Sequence, residues 1–355
     1  MIHAAPAQLL LVKPSSMGDV IHALPVLDLL HRHWPQTAID WLVKPEWAPL
    51  LMGHPMLREV VSLPRAWRAW SPMIAALRRK RYEMMIDLQG LLRSAFIGWA
   101  SGAPVRVGFA NAREGSPWWY THRISPPPLG VNPRGEPDPV HAVDRYLALV
   151  RQLGVQSGGP ARFPLPPWPA AEAWAANLWA GKGIEPGEPV CVIHPAARWT
   201  TKRWPAERFA RAADELAAHG WRVMTVAGAG EREQAEAVVR LMQRNVLNLA
   251  GQTTLPQLAA LLRRSAALVT NDSGPMHLAA AVGTPVVALF GPTDPRKVGP
   301  YGPGHATIAK PVDCSSCSRQ RCVKELACLR AIEVEEVVKA VNAVDRTVRS
   351  DALTT

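Results

Sequence analysis

The chain has 355 residues, of which 48% are hydrophobic and 19% are charged. This composition argues against a disordered chain, and the lack of any uninterrupted apolar run of 18 residues argues against a membrane-spanning helix. The length exceeds what one hydrophobic core usually serves, so we expect two domains. A net charge of +11 indicates a polyanionic partner, and nucleic acid, phosphorylated metabolites and an anionic lipid surface are all compatible with it.

The first eight residues, MIHAAPAQ, lack the cationic start of a secretory signal and lead directly into a strand pattern. We therefore expect no signal peptide and a cytoplasmic protein.

The first half of the chain alternates predicted strands with predicted helices. A short apolar run at 9–12 predicts a buried strand, and apolar residues at helical spacing over 20–31 predict the helix that follows. Further strands are predicted at 38–43, 59–63 and 84–88, and further helices at 91–100 and 141–153. Residues 125–138 are rich in Pro and Gly and predict a loop. This alternation is typical of a parallel sheet covered on both faces.

A proline-rich segment at 163–169 predicts a linker, after which the same alternation restarts. Strands are predicted at 189–194, 221–227, 266–270 and 285–290, and helices at 208–219, 231–242 and 276–282. The sequence thus predicts an α/β protein with two Rossmann-like, doubly wound domains, an N-terminal one at 1–168 and a C-terminal one at 169–355.

Two matched junctions between a strand and a helix lie near the two ends of the chain. In the first junction, residues 9–13 lead into the loop PSSMGD at 14–19; in the second, residues 267–270 lead into NDSGPMH at 271–277. Each loop carries one Gly and one Asp and then opens a helix. The two junctions, about 250 residues apart, predict two halves whose strand ends face one cleft.

Asp19, in the first junction, is a candidate general base. The positive end of a helix keeps a carboxylate ionised, and the carboxylate can then accept a proton from an attacking hydroxyl. The alternative is a helix cap, a role that Asp often fills. Ser15 and Ser16, before Gly18, either bind an anion or make the turn.

The second junction has the pattern of an anion site. Ser273 and Gly274 precede a helix start whose unpaired amides can hold a phosphate, and Pro275 suits the first helical turn. An ordinary capped helix is the alternative. Lys202, in the loop after the strand that ends at His194, can neutralise a diphosphate leaving group, and a solvated loop lysine is its alternative.

One short segment combines basic residues with tryptophans. Its members are Arg65, Trp67, Arg68, Trp70, Arg78, Arg79, Lys80 and Arg81. Such a stretch can lie at a membrane interface or grip a phosphorylated acceptor. The alternative is a surface helix with solvated arginines, beginning after Pro72.

Four of the five cysteines are clustered near the C-terminus, at Cys314, Cys317, Cys322 and Cys328. Their spacing is compatible with a structural zinc site, and reduced thiols are the alternative. The expected cytoplasmic location disfavours stable disulfides.

Three segments together resemble the lipopolysaccharide heptosyltransferases, which form glycosyltransferase family 9. The first is KPSSMGDVIHALP at 13–25, the second is DLQGLLRSA at 87–95, and the third is TNDSGPMH at 270–277 followed by FGPTDP at 290–295. The match runs in the family's order from about residue 9 to residue 339. Residues 87–95, 113–114 and 141–145 look more like heptosyltransferase I than heptosyltransferase II.

The resemblance implies a GT-B fold and an inverting, metal-independent transfer of heptose from ADP-heptose, with no cofactor required. The N-terminal domain would hold the acceptor and the C-terminal domain the donor, and the final helix could pack back on the N-terminal domain. The implied acceptor is the Kdo of lipid A, so the enzyme would be peripheral to the inner face of the cytoplasmic membrane and would bind no nucleic acid.

The resemblance also assigns roles to residues at both junctions. Asp19 matches the family's proposed base, with Ser15, Ser16 and Gly18 on the acceptor side, and Lys202 matches its phosphate-binding lysine. Further donor contacts are implied for Thr200, Thr201, Glu231, Asp272, Ser273, Gly274 and His277. Among these, Glu231 would bind the ribose hydroxyls, and Asp272 would lie near the donor sugar and phosphates.

Two other classes of function stay open. One is a different sugar-nucleotide enzyme on the same fold, such as a transferase with another donor or a non-hydrolysing epimerase. The other is a non-catalytic binder of anionic glycolipid. A nicotinamide dehydrogenase is disfavoured because neither junction contains G-x-G-x-x-G, and Gly228-Ala229-Gly230 lacks the third glycine.

Overall fold

Both halves of the chain form parallel sheets. The computed structural model describes residues 4–131, 137–156, 158–314 and 316–352, and the chain separates into two compact units, Met1–Pro167 and Trp168–Thr355. Each unit contains a six-stranded sheet in which every strand pair is parallel. The α/β fold class predicted from the alternation is confirmed.

In its described residues, the first unit has six parallel strands and four α-helices. The strands are β1 (Gln8–Val12), β2 (Ala38–Val43), β3 (Glu59–Ser62), β4 (Met84–Asp87), β5 (Val105–Phe109) and β6 (His122–Ile124). The helices are α1 (Met17–His33), α2 (Trp70–Arg79), α3 (Leu92–Ala100) and α4 (Ala142–Arg151). A short antiparallel pair, β7 (Gly130–Val131) and β8 (Pro137–Asp138), lies within the segment predicted as a loop. The loop prediction for 125–138 is therefore wrong at β7 and at β8. Residues 132–136, between these strands, lie outside the described residues.

The second unit repeats the pattern. Its strands are β9 (Val190–His194), β10 (Arg222–Thr225), β11 (Leu247–Asn248), β12 (Ala267–Asn271), β13 (Val286–Phe290) and β14 (Ala306–Ala309). Its helices are α5 (Pro169–Gly181), α6 (Ala206–Ala218), α7 (Arg232–Leu241), α8 (Leu255–Arg263), α9 (Gly274–Ala281), α10 (Pro295–Val298), α11 (Ala327–Arg330) and α12 (Val334–Ala352). The final helix, α12, packs on α6 and on strands β12 to β14 of its own unit. In the described part of the chain, no helix is both long and apolar enough to cross a membrane.

The two sheets share one strand order. The first runs β3-β2-β1-β4-β5-β6 and the second β11-β10-β9-β12-β13-β14. In each sheet the direction of strand addition reverses at one place, between β1 and β4 or between β9 and β12. Loops leaving neighbouring parallel strands at such a switch point diverge and leave a crevice at the carboxyl ends, where ligands bind in sheets of this kind. Both junctions identified in the sequence lie at these switch points.

A buried ionic cluster stabilises the first sheet away from its switch point. Asp40 on β2 is fully buried and accepts hydrogen bonds from Arg58 at 2.6 and 2.9 Å, from Lys80 at 2.9 Å and from the Tyr82 hydroxyl at 2.6 Å. Burial alone would raise the pKa of Asp40, but these donors outweigh it and hold the pKa below the ordinary aspartate value. The carboxylate therefore ties β2 to the segments that precede β3 and β4.

We expect Asp40→Asn to lower the free energy of unfolding by about 2–3 kcal/mol at pH 7, because two cations lose a buried partner. Because the folded pKa is lowered, the wild-type advantage is present above the ordinary aspartate value and is lost as pH falls through the folded pKa. Urea unfolding at pH 7 and pH 3 measures both effects. Glu46→Gln, which removes the partly buried partner of the exposed Arg65, is the control and should change stability by less than about 1 kcal/mol. An equal loss at both pH values for Asp40→Asn would contradict the assignment.

Candidate active site

The loop after β1 holds Asp19 by a reciprocal cap. Ser16 is the N-cap of α1, and its backbone amide donates to Asp19 Oδ2 at 2.8 Å, while its hydroxyl donates to the same oxygen at 2.9 Å. Asp19 is thus the third helical residue rather than the cap itself. Its side chain is 39% exposed, so a ligand can reach the carboxylate at the positive end of the helix.

The other oxygen of Asp19 faces a buried lysine and a tyrosine. Lys13 Nζ lies 3.5 Å from Asp19 Oδ1 and donates to Leu88 O at 3.3 Å, and the Tyr146 hydroxyl on α4 donates to Asp19 Oδ1 at 3.3 Å. Burial alone would lower the pKa of Lys13, but Tyr146, Asp19 and Asp87 outweigh it and raise that pKa above its ordinary value. Lys13 therefore stays cationic and fixes the orientation of the carboxylate.

The second sequence segment, 87–95, shapes the neighbouring loop. Asp87 is buried at the end of β4 and accepts hydrogen bonds from the amides of Gln89 and Gly90 and from the hydroxyls of Ser94 and Tyr120, at 2.7–3.1 Å. Gly90 has φ +68°, a conformation that favours glycine. The turn carries Gln89 Oε1 to within 3.3 Å of the Ser15 amide. Asp87 is consequently a structural residue that brings this loop against the first junction.

At the second junction, Asp272 is the centre of a hydrogen-bonded group. Its Oδ2 lies 2.5 Å from Lys202 Nζ and accepts the Thr293 hydroxyl at 2.6 Å. Lys202 is 17% exposed and its Nζ lies 4.8 Å from the centre of the Trp199 ring. The alternative of a solvated loop lysine does not describe this residue, because its ammonium group is paired and mostly enclosed.

A buried histidine connects three segments of the second unit. His194 ends β9, and its Nδ1 lies 3.3 Å from both Thr270 Oγ1 and Ser273 Oγ. Its Nε2 lies 3.5 Å from Glu231 Oε2, and this contact lowers the pKa of Glu231 below the ordinary glutamate value. Glu231 is therefore held as a carboxylate, the form that accepts hydrogen bonds from a pair of hydroxyls.

Helix α9 begins at Gly274, one residue before Pro275. Ser273 is the N-cap of α9, Gly274 is the first helical residue and Pro275 the second. Pro275 has no N–H, so the amides of Ser273 and Gly274 are the ones available to an anion at this helix start. Met276 and His277 are buried on the inner side of the helix. Lys202 and the start of α9 thus place positive charge on both sides of Asp272.

The two threonines before Lys202 differ in environment. Thr200 is exposed, whereas Thr201 is buried and its hydroxyl donates to Arg319 O at 2.9 Å. The structure thus brings Glu231, Lys202, Asp272, Ser273 and Gly274 together around one switch point.

The sequence analysis gave no role to four residues that complete these groups: Lys13, Tyr146, His194 and Thr293. Lys13 and Thr293 lie inside the segments 13–25 and 290–295 that resemble the family, so these segments could have indicated a role for both residues. Tyr146 follows segment 141–145 directly but contacts Asp19 across 127 positions of sequence. No local pattern could have connected the two.

The segment that carries the cysteine cluster lies against the loops that follow β9 and β13. Cys322 Sγ accepts the amides of Lys324 and Leu326 at 3.4 and 3.3 Å, and the buried Cys328 packs beside Gly291. Ser318 donates its amide to Pro292 O at 2.6 Å. Within residues 4–131, 137–156, 158–314 and 316–352, no three His, Cys, Asp or Glu side chains are arranged to hold a metal ion. This segment, with Thr201 bound to Arg319, supports both loops that carry Lys202 and Thr293.

The chain is similar to known proteins over most of its length. The family model for glycosyltransferase family 9 (heptosyltransferase) matches residues 70–327. Lipopolysaccharide heptosyltransferase 1 of Pseudomonas aeruginosa is 31% identical over 333 residues, which cover 89% of this chain and 87% of that protein. Lipopolysaccharide heptosyltransferase 2 of Escherichia coli is 28% identical over 306 residues, covering 81% and 84%. The structure of E. coli heptosyltransferase WaaC with ADP superposes with a TM-score of 0.74 at 26% identity, covering 95% and 99%.

The two parallel sheets and the similarity to heptosyltransferases define a glycosyltransferase of the GT-B fold. The family match covers well over half of the chain, and it is supported by a relative above 30% identity. The chain therefore belongs to glycosyltransferase family 9, the heptosyltransferase family.

Proposed function

We propose that the protein transfers L-glycero-D-manno-heptose from ADP-heptose to the Kdo of lipid A, in the inner core of lipopolysaccharide. The observation that carries the proposal is the group formed by Lys202, Asp272 and the start of α9, which is suited to a diphosphate. A further structure of the E. coli relative contains ADP-2-deoxy-2-fluoro heptose, which supports an ADP-linked donor. The segments closest to heptosyltransferase I support Kdo as the acceptor.

In this proposal the first unit activates the acceptor. Asp19 accepts the proton of a Kdo hydroxyl as that oxygen attacks the anomeric carbon of the donor. The hydrogen bonds from Ser16 and Tyr146 hold the carboxylate, and Ser15 and Gly18 border the same loop. The attack forms the new glycosidic C–O bond and breaks the bond between the sugar and the diphosphate, so one displacement inverts the anomeric configuration.

The second unit holds the donor and its leaving group. Lys202 and the amides of Ser273 and Gly274 stabilise the charge that develops on the departing ADP. Glu231 binds the ribose hydroxyls, and Asp272 and His277 border the diphosphate with Thr200 and Thr201 at the loop. Lys202 and the start of α9 supply the positive charge that leaving-group departure needs, so the proposed reaction requires neither a metal nor a cofactor. The acceptor is borne by a lipid, and the enzyme would therefore work at the inner face of the cytoplasmic membrane.

The test is ADP or UDP release across a panel of ADP- and UDP-sugars, with and without Kdo-lipid A and in the presence of EDTA. We expect release from ADP-heptose only, and only with the acceptor. Donor conversion without acceptor would indicate an epimerase, and binding of lipid A derivatives without any release would indicate a non-catalytic binder. Either result, or a preference for a UDP-sugar, would contradict the proposal.

A further inference from the structure

The first unit exposes an unusual number of large aromatic side chains on one face. We name as the tryptophan surface the residues contributed by the segment before α2, by α2, by α3 and by the turn before β6: Trp67, Trp70, Phe96, Trp99, Trp118 and Trp119. Within it, Trp67 is 73% exposed, Trp99 46% and Trp118 81%. Contiguous exposed aromatics of this kind mark interaction sites rather than ordinary solvent-facing surface.

All of these rings except Trp118 are connected, either by lining one groove or by direct ring contacts. An open groove of about 560 Å³ is lined by Trp67, Trp70, Ile74, Arg78 and Phe96. The Phe96 ring lies 5.8 Å from the Trp99 ring and 5.7 Å from the Trp119 ring, and the last two are 5.3 Å apart. Five aromatic side chains therefore form one continuous apolar patch: Trp67, Trp70, Phe96, Trp99 and Trp119. Trp118 is the neighbour of one of them, Trp119, in the chain.

Basic side chains border this patch, and acidic residues are scarce around it. The Arg68 guanidinium lies 5.8 Å from the centre of the Trp67 ring, and that of Arg123 lies 5.4 Å from the Trp118 ring. Arg79 and Arg93 are also exposed. The segments 65–82, 91–111 and 115–131 contain no Asp or Glu. The charge of this surface thus complements an anionic partner.

We propose that the tryptophan surface docks on the anionic headgroup layer of a lipid bilayer. Tryptophan is enriched at membrane–water interfaces because its ring is apolar and its N–H is polar. The arginines beside the rings can contact the anionic headgroups. Each arginine increases the partitioning of the protein from water onto the membrane about fivefold. A second copy of this chain fits the surface poorly, because two faces of the same positive charge repel each other.

Helix α3 connects the tryptophan surface to the loop beside Asp19. Helix α3 begins two residues after Gly90, in the turn that Asp87 holds against the first junction. Exposed Leu92 and Arg93 lie at that start, so α3 runs from the turn beside the first junction to Phe96 and Trp99 of the tryptophan surface. This inference rests on the proposed function, because a lipid-borne acceptor is what makes a membrane-bound face beside Asp19 useful.

Vesicle cosedimentation of the full chain tests the docking. We expect binding to vesicles of phosphatidylcholine with phosphatidylglycerol, weak binding to phosphatidylcholine alone, and release at high salt. The variant Trp67→Ser/Arg68→Glu should bind anionic vesicles about tenfold or more weakly. The matched control is Arg240→Glu/Leu241→Ser, which makes the same change of charge and a loss of exposed apolar surface on α7. It should bind as the wild type does.

Three results would overturn the docking. The first is unchanged vesicle binding by the Trp67/Arg68 variant, and the second is an equal loss of binding in the Arg240/Leu241 control. The third is a dimer, seen by sedimentation velocity for the wild type and the control but not for the Trp67/Arg68 variant. ADP release with a deacylated, water-soluble Kdo acceptor separates this inference from the proposed function. Turnover of that acceptor without vesicle binding would overturn the docking alone, whereas vesicle binding without any ADP release would overturn the function alone.

Discussion

Asp19→Asn is expected to lower kcat about 10³-fold, the range for losing a positioned general base. The amide can still accept the Ser16 backbone N–H that closes the cap of α1, so the fold of the first junction should persist. Binding of ADP should be unchanged, because the residues proposed to hold the donor all belong to the second unit. Steady-state ADP release and calorimetric ADP binding measure the two effects. A variant that retains more than a tenth of the wild-type kcat would show that Asp19 is a cap residue and not the base.

Asp28→Asn on the same helix is the matched control. Asp28 is buried and pairs with Arg32 at 2.7–2.9 Å, so the substitution removes a structural carboxylate from α1. It should lower the stability of the first unit while leaving kcat near the wild-type value. If Asp28→Asn reduced kcat as much as Asp19→Asn does, the loss at Asp19 would reflect the helix and not its carboxylate.

The sheets could be predicted because their central strands are buried on both faces. Strands such as β1, β9 and β12 are short continuous apolar runs, and hydrophobicity alone identifies them. The sequence analysis did not identify β6, β11 or β14, at the edges of the sheets, where partial exposure weakens the pattern. It also did not identify α5 and α8, which lie against each other in the second unit.

Positions of candidate site residues could be predicted only as far as local patterns reach. The Gly, Ser and Asp residues of the two junctions are recognisable because a turn into a helix needs them at fixed spacing. Whether Lys202 is solvated depends on Asp272, 70 positions away, and the Lys13–Tyr146 contact depends on how α4 packs on α1. Such pairings are set by tertiary structure, and a single sequence does not show which distant residues meet.

Tertiary structure also explains why the basic segment at 65–81 allowed two interpretations. The surface helix with exposed arginines is present as α2, although it begins at Trp70 and not after Pro72. The same helix lines an aromatic groove, and membrane binding by this segment stays a prediction. Spacing along the segment cannot show that Phe96 completes that groove or that Trp119 packs on Phe96, since both residues come from other elements.

Lys202→Met is expected to lower kcat/KM by about 10²- to 10³-fold, comparable with losing one preorganised donor to a developing anion. The substitution removes the ammonium group that lies 2.5 Å from Asp272 and should also weaken ADP binding. Lys182→Met, at an exposed lysine just after α5, removes the same charge from the same unit and should leave kcat/KM unchanged. ADP release and ADP binding for both variants make the comparison.

A double variant distinguishes the two ways in which Lys202 could matter. If its only role were to neutralise Asp272, then Lys202→Met/Asp272→Asn would remove both charges and recover activity relative to Lys202→Met. If Lys202 stabilises the departing diphosphate, no second substitution at Asp272 supplies the missing positive charge, and the double variant stays as slow as the single one or slower. We expect the second result. Thr293→Val, which takes only the other hydrogen bond from Asp272 and leaves Lys202 in place, should cost far less activity than Lys202→Met, because the positive charge at the leaving group is retained.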